Sequence, residues 1–131
     1  MKFRFHTKAI IYNASWDILV QQRADTWKRD LIGGKVEIPE QIEQWIIREI
    51  TEETGIGEIK DLQILHIESN YSDNETYFVL CIFKAYSDEQ QVVVSDEHLS
   101  QKRITKEELF TIDMTEYLQS SILKIKDQIL A

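Results

Sequence analysis

The sequence predicts one α/β domain that spans residues 1–131. This length is sufficient for a single hydrophobic core, and 43% hydrophobic with 29% charged residues is usual for a globular protein. Short apolar segments of the strand type are separated by turn residues, and two further segments have the 3.6-residue apolar period of amphipathic helices. No internal repeat, low-complexity tract or linker divides the chain.

The strand-like segments fall into two pairs and one short addition. Turn-forming residues at 13–15 and 72–75 connect the members of each pair, and the polar stretches 24–30 and 95–103 carry no predicted element. A C-terminal amphipathic helix is expected over residues 115–130. Strands are expected at residues 8–12, 18–22, 62–68, 76–85 and 91–94.

All the glycines and the only proline surround one segment of the chain. Pro39 suits the first turn of a helix, where its missing N–H is not needed, and Gly55 suits the left-handed residue just after a helix end. A helix is therefore expected over residues 39–54. The glycine pair Gly33–Gly34 before it would let the backbone approach a ligand closely, as phosphate-binding loops require.

This helix carries carboxylates on the side that should be buried. On a helical wheel that starts at Glu40, Glu49 falls at about 180° and Glu53 at about 220°, inside the apolar face, with Glu52 at its border near about 120°. The three carboxylates crowd one another at the helix end that disfavours negative charge. A divalent cation would relieve this repulsion, and a solvated acidic face with Arg48 as partner is the alternative explanation.

The net charge of -8 limits the classes of partner. It argues against a nucleic-acid polymer, which would need clustered Lys and Arg, and a polyanionic substrate would need bound metal or a few well-placed basic residues. No apolar run is long enough to cross a membrane, and the start of the chain lacks the apolar block of a signal peptide. Cys81 is single and lies in a strand-like run, so a buried free thiol and a cytoplasmic location are expected.

The stretch from Gly34 to Ile56 resembles the Nudix box, the signature of the Nudix hydrolases, of which the MutT-like proteins are members. Nine fixed positions over 23 residues match, and the preceding Gly33 and the run 35–37 resemble the family's lead-in to the box. Two departures are Ile32, where the family commonly has proline, and Pro39 before Glu40, where it often has glycine. The matching positions are Gly34, Glu40, Arg48, Glu49, Ile50, Glu52, Glu53, Gly55 and Ile56.

The resemblance implies a Nudix-type α/β/α sandwich with a mixed β-sheet and a catalytic loop-helix-loop. It implies hydrolysis of a nucleoside diphosphate linked to another moiety, with Mg²⁺ or Mn²⁺ as cofactor. By position, Glu49, Glu52 and Glu53 would be metal ligands, together with a main-chain carbonyl of Gly33 or Gly34. The carboxylates are then expected to face a metal-filled cleft.

The same resemblance assigns roles to the neighbours of these ligands. Arg48 would orient or neutralise a box glutamate, Glu40 would brace the loop, and Gly55 would end the helix. Either Glu52 or Glu53 would take the proton of the attacking water, with Glu97 as the rival base from a later loop and a plain surface acid as its other interpretation.

Substrate contacts are expected from the glycine loop and from three residues outside the box. Gly34 and Lys35 belong to the loop. Arg23 could grip phosphate or form a surface salt bridge, and for Trp27 packing in the core is favoured over stacking on a base. Tyr71 lies roughly where dinucleoside polyphosphate hydrolases carry a tyrosine, although packing is again favoured.

The substrate itself is left open between nucleoside triphosphates, dinucleoside polyphosphates and nucleotide sugars. A non-catalytic, nucleotide-sensing module is the alternative function, although such modules usually carry a degraded box. An isomerase of isoprenoid diphosphates would need a reactive cysteine, for which Cys81 is a poor candidate. A homodimer is common in the family.

Overall fold

The computed structural model describes residues 1–37, 40–71, 73–89 and 98–131. These residues form a mixed sheet of seven strands with helices on both faces, the α/β/α sandwich that the family resemblance implied. No helix within these ranges is long and apolar enough to cross a membrane. The strands are β1 (Lys2–Tyr12), β2 (Ile18–Arg23), β3 (Arg29–Asp30), β4 (Ile32–Lys35), β5 (Lys60–Tyr71), β6 (Thr76–Tyr86) and β7 (His98–Ile104).

The sheet is mixed because its central pair is parallel and the other pairs are antiparallel. Strand β1 pairs in parallel with β6 along its whole length, and β5 forms the edge beyond β6. Strands β1 and β2 share only the register pair Tyr12↔Ile18 and then diverge. The chain from β3 to β4 fills the gap, with β3 paired to β2 and β4 paired to β1.

Helix α1 (Ile42–Thr54) covers one face of the sheet. Its buried Trp45, Ile46 and Ile50 form the apolar stripe that the wheel predicted, and the last two pack on a core that includes Ile32 and Phe83. Gly55 ends the helix in the left-handed conformation, at φ 78°, and its N–H donates to Thr51 O. The helix begins at Ile42, later than the expected start at Pro39, because Gln41 is extended at φ -64° and ψ 142°. Pro39 itself lies outside the described residues.

The other face is covered by the C-terminal segment. Helices α2 (Glu116–Lys124) and α3 (Lys126–Leu130) replace the single helix expected over 115–130, because Ile125 leaves the helical conformation at φ -113° and ψ 22°. Their buried side chains join a core that includes Ile10, Val20 and Leu80. A 3₁₀ turn at Glu108–Phe110 precedes them.

Three short or polar strands differ from the sequence prediction. Strand β4 was expected to be a turn, and β3 and β7 fall in stretches without a predicted element. Strand β7 is almost entirely polar and is held by its register with β2, so its strand character comes from a partner distant in sequence. The strand expected at 91–94 lies outside the described residues, and Cys81 is fully buried as predicted.

Candidate functional site

Glu53 of α1 is buried beneath the glycine pair, and two hydrogen bonds fix its carboxylate. Only 8% of the residue is exposed. Its Oε1 accepts a hydrogen bond from Gln21 Nε2 at 3.1 Å, and its Oε2 accepts one from the main-chain N–H of Gly33 at 2.8 Å. Burial raises the pKa of Glu53 to about 7, and the nearby Glu49 carboxylate acts in the same direction.

Two glutamines connect this carboxylate to the sheet. Gln101 Nε2 on β7 donates to Gln21 Oε1 at 3.1 Å and to the carbonyl of Glu53 at 2.7 Å. Gln21 itself is fully buried on β2. Because an amide both donates and accepts, this chain of contacts sets the direction in which the Gln21 amide points at Glu53.

Glu49 lies one helical turn before Glu53, beside Gly34. A Cβ atom placed on Gly34 would lie 3.9 Å from Glu49 Oε2, so this carboxylate sits over the open side of Gly34. Glu49 is half-buried. Glu49 and Glu53 therefore form a pair of neighbouring carboxylates that faces the glycine pair from one side of α1.

Arg48 holds the third carboxylate of the helix. Its Nη1 donates to Glu52 Oε1 at 2.9 Å and its Nε donates to Glu40 Oε1 at 2.8 Å. The guanidinium also lies 4.3 Å from the ring centre of Trp45. The hydrogen bonds to Glu40 and Glu52 raise the pKa of Arg48 above its ordinary value. Glu52 is exposed and points away from the buried Glu53.

The donor set suits a hard divalent cation, although it is not assembled as a closed site. Glu49 and Glu53 offer crowded carboxylate oxygens, which Mg²⁺ and Mn²⁺ prefer. Within the part of the chain that the structure describes, no three acidic, histidine or cysteine side chains converge as a metal site. Glu52 would have to join the other two by a change of rotamer away from Arg48.

A buried ion pair lies directly behind the glycine pair. The ammonium of Lys8 contacts the Asp30 carboxylate at 3.0 Å, and both side chains are nearly inaccessible to solvent. Arg23 Nη1 and His98 Nε2 approach the same carboxylate at 3.6 and 3.8 Å. Burial acts to raise the pKa of Asp30, but the attraction of Lys8, with His98 and Arg23, outweighs it and holds that pKa below its ordinary value.

Arg23 forms a salt bridge, and Trp27 is exposed rather than packed in the core. The guanidinium of Arg23 makes two hydrogen bonds of 2.9 Å with Asp25, which corresponds to the salt-bridge interpretation. Trp27 is 68% exposed and has φ 64°, so the favoured packing in the core is wrong. The main-chain N–H of Trp27 donates to Arg23 O in the turn at 24–28, and the indole lies outside the core.

A cavity of about 450 Å³ lies on the other face of the sheet, next to α2. His6, Phe78 and Tyr117 form an aromatic cluster in it, with ring centres 4.9 to 5.9 Å apart. Burial, together with the charges of Lys8, Arg4 and Lys35, lowers the pKa of His6 to about 4, so this ring is neutral at neutral pH. The other lining residues are Arg4, Glu68, Asn70, Tyr71, Ser120, Ser121 and Lys124.

The remaining predicted site residues are dispersed. Tyr71 is 58% exposed at the end of β5, with its ring 5.3 Å from that of Tyr77, so it is not a core residue. Lys35 is exposed on β4, opposite His6 in the register. Glu97 lies outside the described residues.

Sequence reasoning missed Lys8, Asp30, Gln21 and Gln101. The only local signal was a lysine at position 8 in a strand whose alternate residues, Ile10 and Tyr12, are apolar. A charge at such a position indicates a buried partner, but it does not indicate which residue that partner is.

Comparison with known proteins gives a consistent picture. A model of the NUDIX domain matches residues 2–124. No curated protein sequence matched the chain. Among solved structures, the MutT protein from Methanosarcina mazei Go1 is 22% identical, with a TM-score of 0.80 and coverage of 97% of this chain and 95% of that one.

Two further structures show the same fold. A C. elegans Ap4A hydrolase, described as a binary complex, is 20% identical with a TM-score of 0.69, covering 95% of this chain and 98% of that one. The NUDIX domain of Shewanella oneidensis NrtR, in complex with ADP ribose, is 16% identical with a TM-score of 0.74, covering 98% and 88%. At these identities the likeness concerns the fold alone.

Proposed function

The chain belongs to the NUDIX family, and from that premise we propose that it hydrolyses the diphosphate bond of a nucleotide-linked substrate with a divalent cation, Mg²⁺ or Mn²⁺. The observation that carries the proposal is the buried Glu53 carboxylate, which Gln21 and the Gly33 N–H hold beside Glu49 and the glycine pair. Two close carboxylates in a partly buried setting repel one another, and a cation would relieve that repulsion.

Glu49, Glu52 and Glu53 would hold the cation in this proposal. When bound, it would neutralise phosphate oxygens and make a nearby water more acidic. Arg48 keeps Glu52 at the rim through the contact at 2.9 Å, from which a rotamer change would bring it to the other two. Glu52 or Glu53 would take the proton of the water, and Glu97 stays a candidate for the same role.

The cavity beside α2 would receive the organic group of the substrate. Its rings of His6, Phe78 and Tyr117 offer the stacking faces that a nucleobase uses, while Arg4 adds positive charge and Lys124 is paired with Glu68. His6 lies two residues from Lys8 on the same face of β1, and Lys8 contacts the Gly33 carbonyl. Strand β1 thus connects the cavity at His6 to the lysine that contacts the glycine pair. Tyr71 at the cavity and Lys35, opposite His6 on β4, are proposed substrate contacts.

Arg23 and Trp27 would act at the margin of the site. The exposed indole of Trp27 is free of core packing and could stack on a base. The guanidinium of Arg23 would reach a phosphate only by exchanging its contacts with Asp25. Both are secondary to the carboxylates in this proposal.

A nucleotide-sensing module without catalysis is the second candidate. The observation in its favour is that protein cations already engage two of the expected ligand groups, Arg48 at Glu52 and Lys8 at the Gly33 carbonyl. The NrtR domain in complex with ADP ribose has the same fold. A sensor would bind a nucleotide tightly and leave it intact.

The test is a hydrolysis assay with Mg²⁺ or Mn²⁺ over nucleoside triphosphates, dinucleoside polyphosphates and nucleotide sugars, with the products identified. We expect Glu53→Gln to lose activity by about a hundredfold or more, because several kcal/mol of barrier lowering depend on a ligating carboxylate. Glu43→Gln is the matched control, since Glu43 lies on the exposed side of the same helix. Tight binding with no turnover of any nucleotide would favour the sensor.

A further inference from the structure

The carbonyl oxygen of Gly33 is already engaged by a cation of the protein. Lys8 Nζ lies 3.2 Å from Gly33 O, 3.3 Å from Leu31 O and 3.0 Å from the Asp30 carboxylate. An ammonium has three protons, and here it has three acceptors. The family resemblance, in contrast, assigns this carbonyl or that of Gly34 to the metal.

The position of the ammonium is fixed by its surroundings. Lys8 is only 2% exposed, and it stands directly opposite Gly33 in the pairing of β1 with β4. Its counter-ion Asp30 is 1% exposed and is approached by Arg23 and His98 as well. Withdrawal of Lys8 would leave a buried carboxylate without its main partner, which is strongly unfavourable.

A metal ion on the same carbonyl would be close to this charge. A Mg²⁺ or Mn²⁺ ion binds oxygen at about 2.1 Å, so it would lie at most about 5 Å from the ammonium. Water cannot screen the repulsion well, because Lys8 is buried. The other carbonyl of the pair, Gly34 O, receives the Thr7 hydroxyl at the longer distance of 3.5 Å.

We infer that the divalent cation of this protein is held without the Gly33 carbonyl as a ligand, because Lys8 takes the place of the metal at the Gly33 oxygen. This inference rests on the metal site of the proposed function. It makes Lys8 a positioning residue that determines the ligand set from outside the box.

The direct test uses Gly34→Ala, in which the added Cβ makes only an ordinary contact and the label at residue 34 is absent. Growth on glycine labelled with ¹³C at the carbonyl then marks three of the four glycine positions. Of these, Gly33 is the one whose N–H contacts the Glu53 carboxylate, while Gly55 and Gly57 follow the end of α1. A carbonyl bound to Mn²⁺ places its carbon about 3 Å from the ion. Electron–nuclear double resonance should show no ¹³C coupling of that size, and observing one would overturn the inference.

A charge-neutral double variant tests the role of Lys8. Lys8→Met with Asp30→Asn removes both members of the pair and leaves the net charge at -8. We expect the 3 Å coupling to appear and Mn²⁺ to bind about tenfold more tightly by calorimetry. The single variant Lys8→Met should also bind Mn²⁺ more tightly. Lys102→Met, which removes an exposed charge on β7, is the control.

The outcomes separate this inference from the proposed function. Unchanged or weaker Mn²⁺ binding in a double variant that circular dichroism shows to be folded would refute the role of Lys8. Mn²⁺ binding by the wild type without hydrolysis of any nucleotide would remove the proposed function alone. If neither protein bound Mn²⁺, both proposals would be wrong.

Discussion

Substitution of Gly33 by alanine should strongly destabilise the protein, whereas the same change at Gly34 should be tolerated. Gly33 has φ 129°, and a Cβ atom there would lie 2.2 Å from the main-chain oxygen of Thr7. A Cβ atom at Gly34 meets only Glu49 Oε2, at 3.9 Å, which is an ordinary contact. The backbone conformation and the close approach of β1 therefore require glycine at position 33 but not at position 34.

The expected loss of stability for Gly33→Ala is about 4 kcal/mol. A non-glycine residue at positive φ costs about 1–2 kcal/mol. The clash involves main-chain atoms, so β1 and β4 must separate by about 1 Å, which weakens two or three hydrogen bonds of about 1 kcal/mol each. A domain with an ordinary stability of about 5–15 kcal/mol would keep about 1–11 kcal/mol.

Urea unfolding, followed by tryptophan fluorescence and far-UV circular dichroism, measures this difference. The midpoint of Gly33→Ala should fall strongly, and that of Gly34→Ala should stay within about 0.5 kcal/mol of the parent after conversion to free energy. The reasoning would be refuted if Gly33→Ala lost less than about 1 kcal/mol, or if both variants lost the same amount.

Three further predictions concern the support of the site and the sheet. The folded-state pKa of Glu53 is raised from 4.5 to about 7, so the folded protein binds the extra proton and loses stability as the pH rises through this window. In the presence of a metal chelator, the free energy of unfolding of Glu53→Gln should therefore rise by about 2–3 kcal/mol relative to that of the parent between about pH 5 and pH 8, as measured by urea titration. A pH-independent difference would contradict this. Gln21→Leu removes the donor to Glu53 and should lower kcat about tenfold in the hydrolysis assay, while Gln22→Leu, whose amide bonds the carbonyl of Trp27, should not. The guanidinium of Arg103 donates to the carbonyls of Ile11, Asp17 and Ser87. Arg103→Met should therefore lower the free energy of unfolding by about 2–4 kcal/mol in thermal unfolding, with Arg103→Lys intermediate. A change below about 1 kcal/mol would show these contacts to be dispensable.

The sequence was most informative where the determining signals are local. The end of α1 at Thr54 follows from the left-handed Gly55, and the burial of Glu53 follows from the helical period. Strand β6 was recognised from its apolar run, which fills the centre of the sheet. Each of these features depends on residues within a few positions of one another.

The features that the sequence did not reveal depend on distant partners. Strand β7 is polar, and its pairing with β2 joins residues about 80 positions apart. For Trp27 packing in the core was favoured over stacking on a base, yet the residue lies outside the core in a tight turn with φ 64°. The break at Ile125 was also missed, because Ile129 and Tyr117 keep the apolar spacing of a continuous helix.

Residues inside and outside the box together determine the contacts of the glycine pair. From the sequence, both glycines were assigned to the close approach of a ligand. In the structure, Gly33 is required because β1 approaches it, and the same register brings residue 8 to its carbonyl. Whatever side chain occupies position 8 therefore decides whether that oxygen is free. Position 8 lies outside the box, so a complete box alone does not specify which atoms would hold the metal.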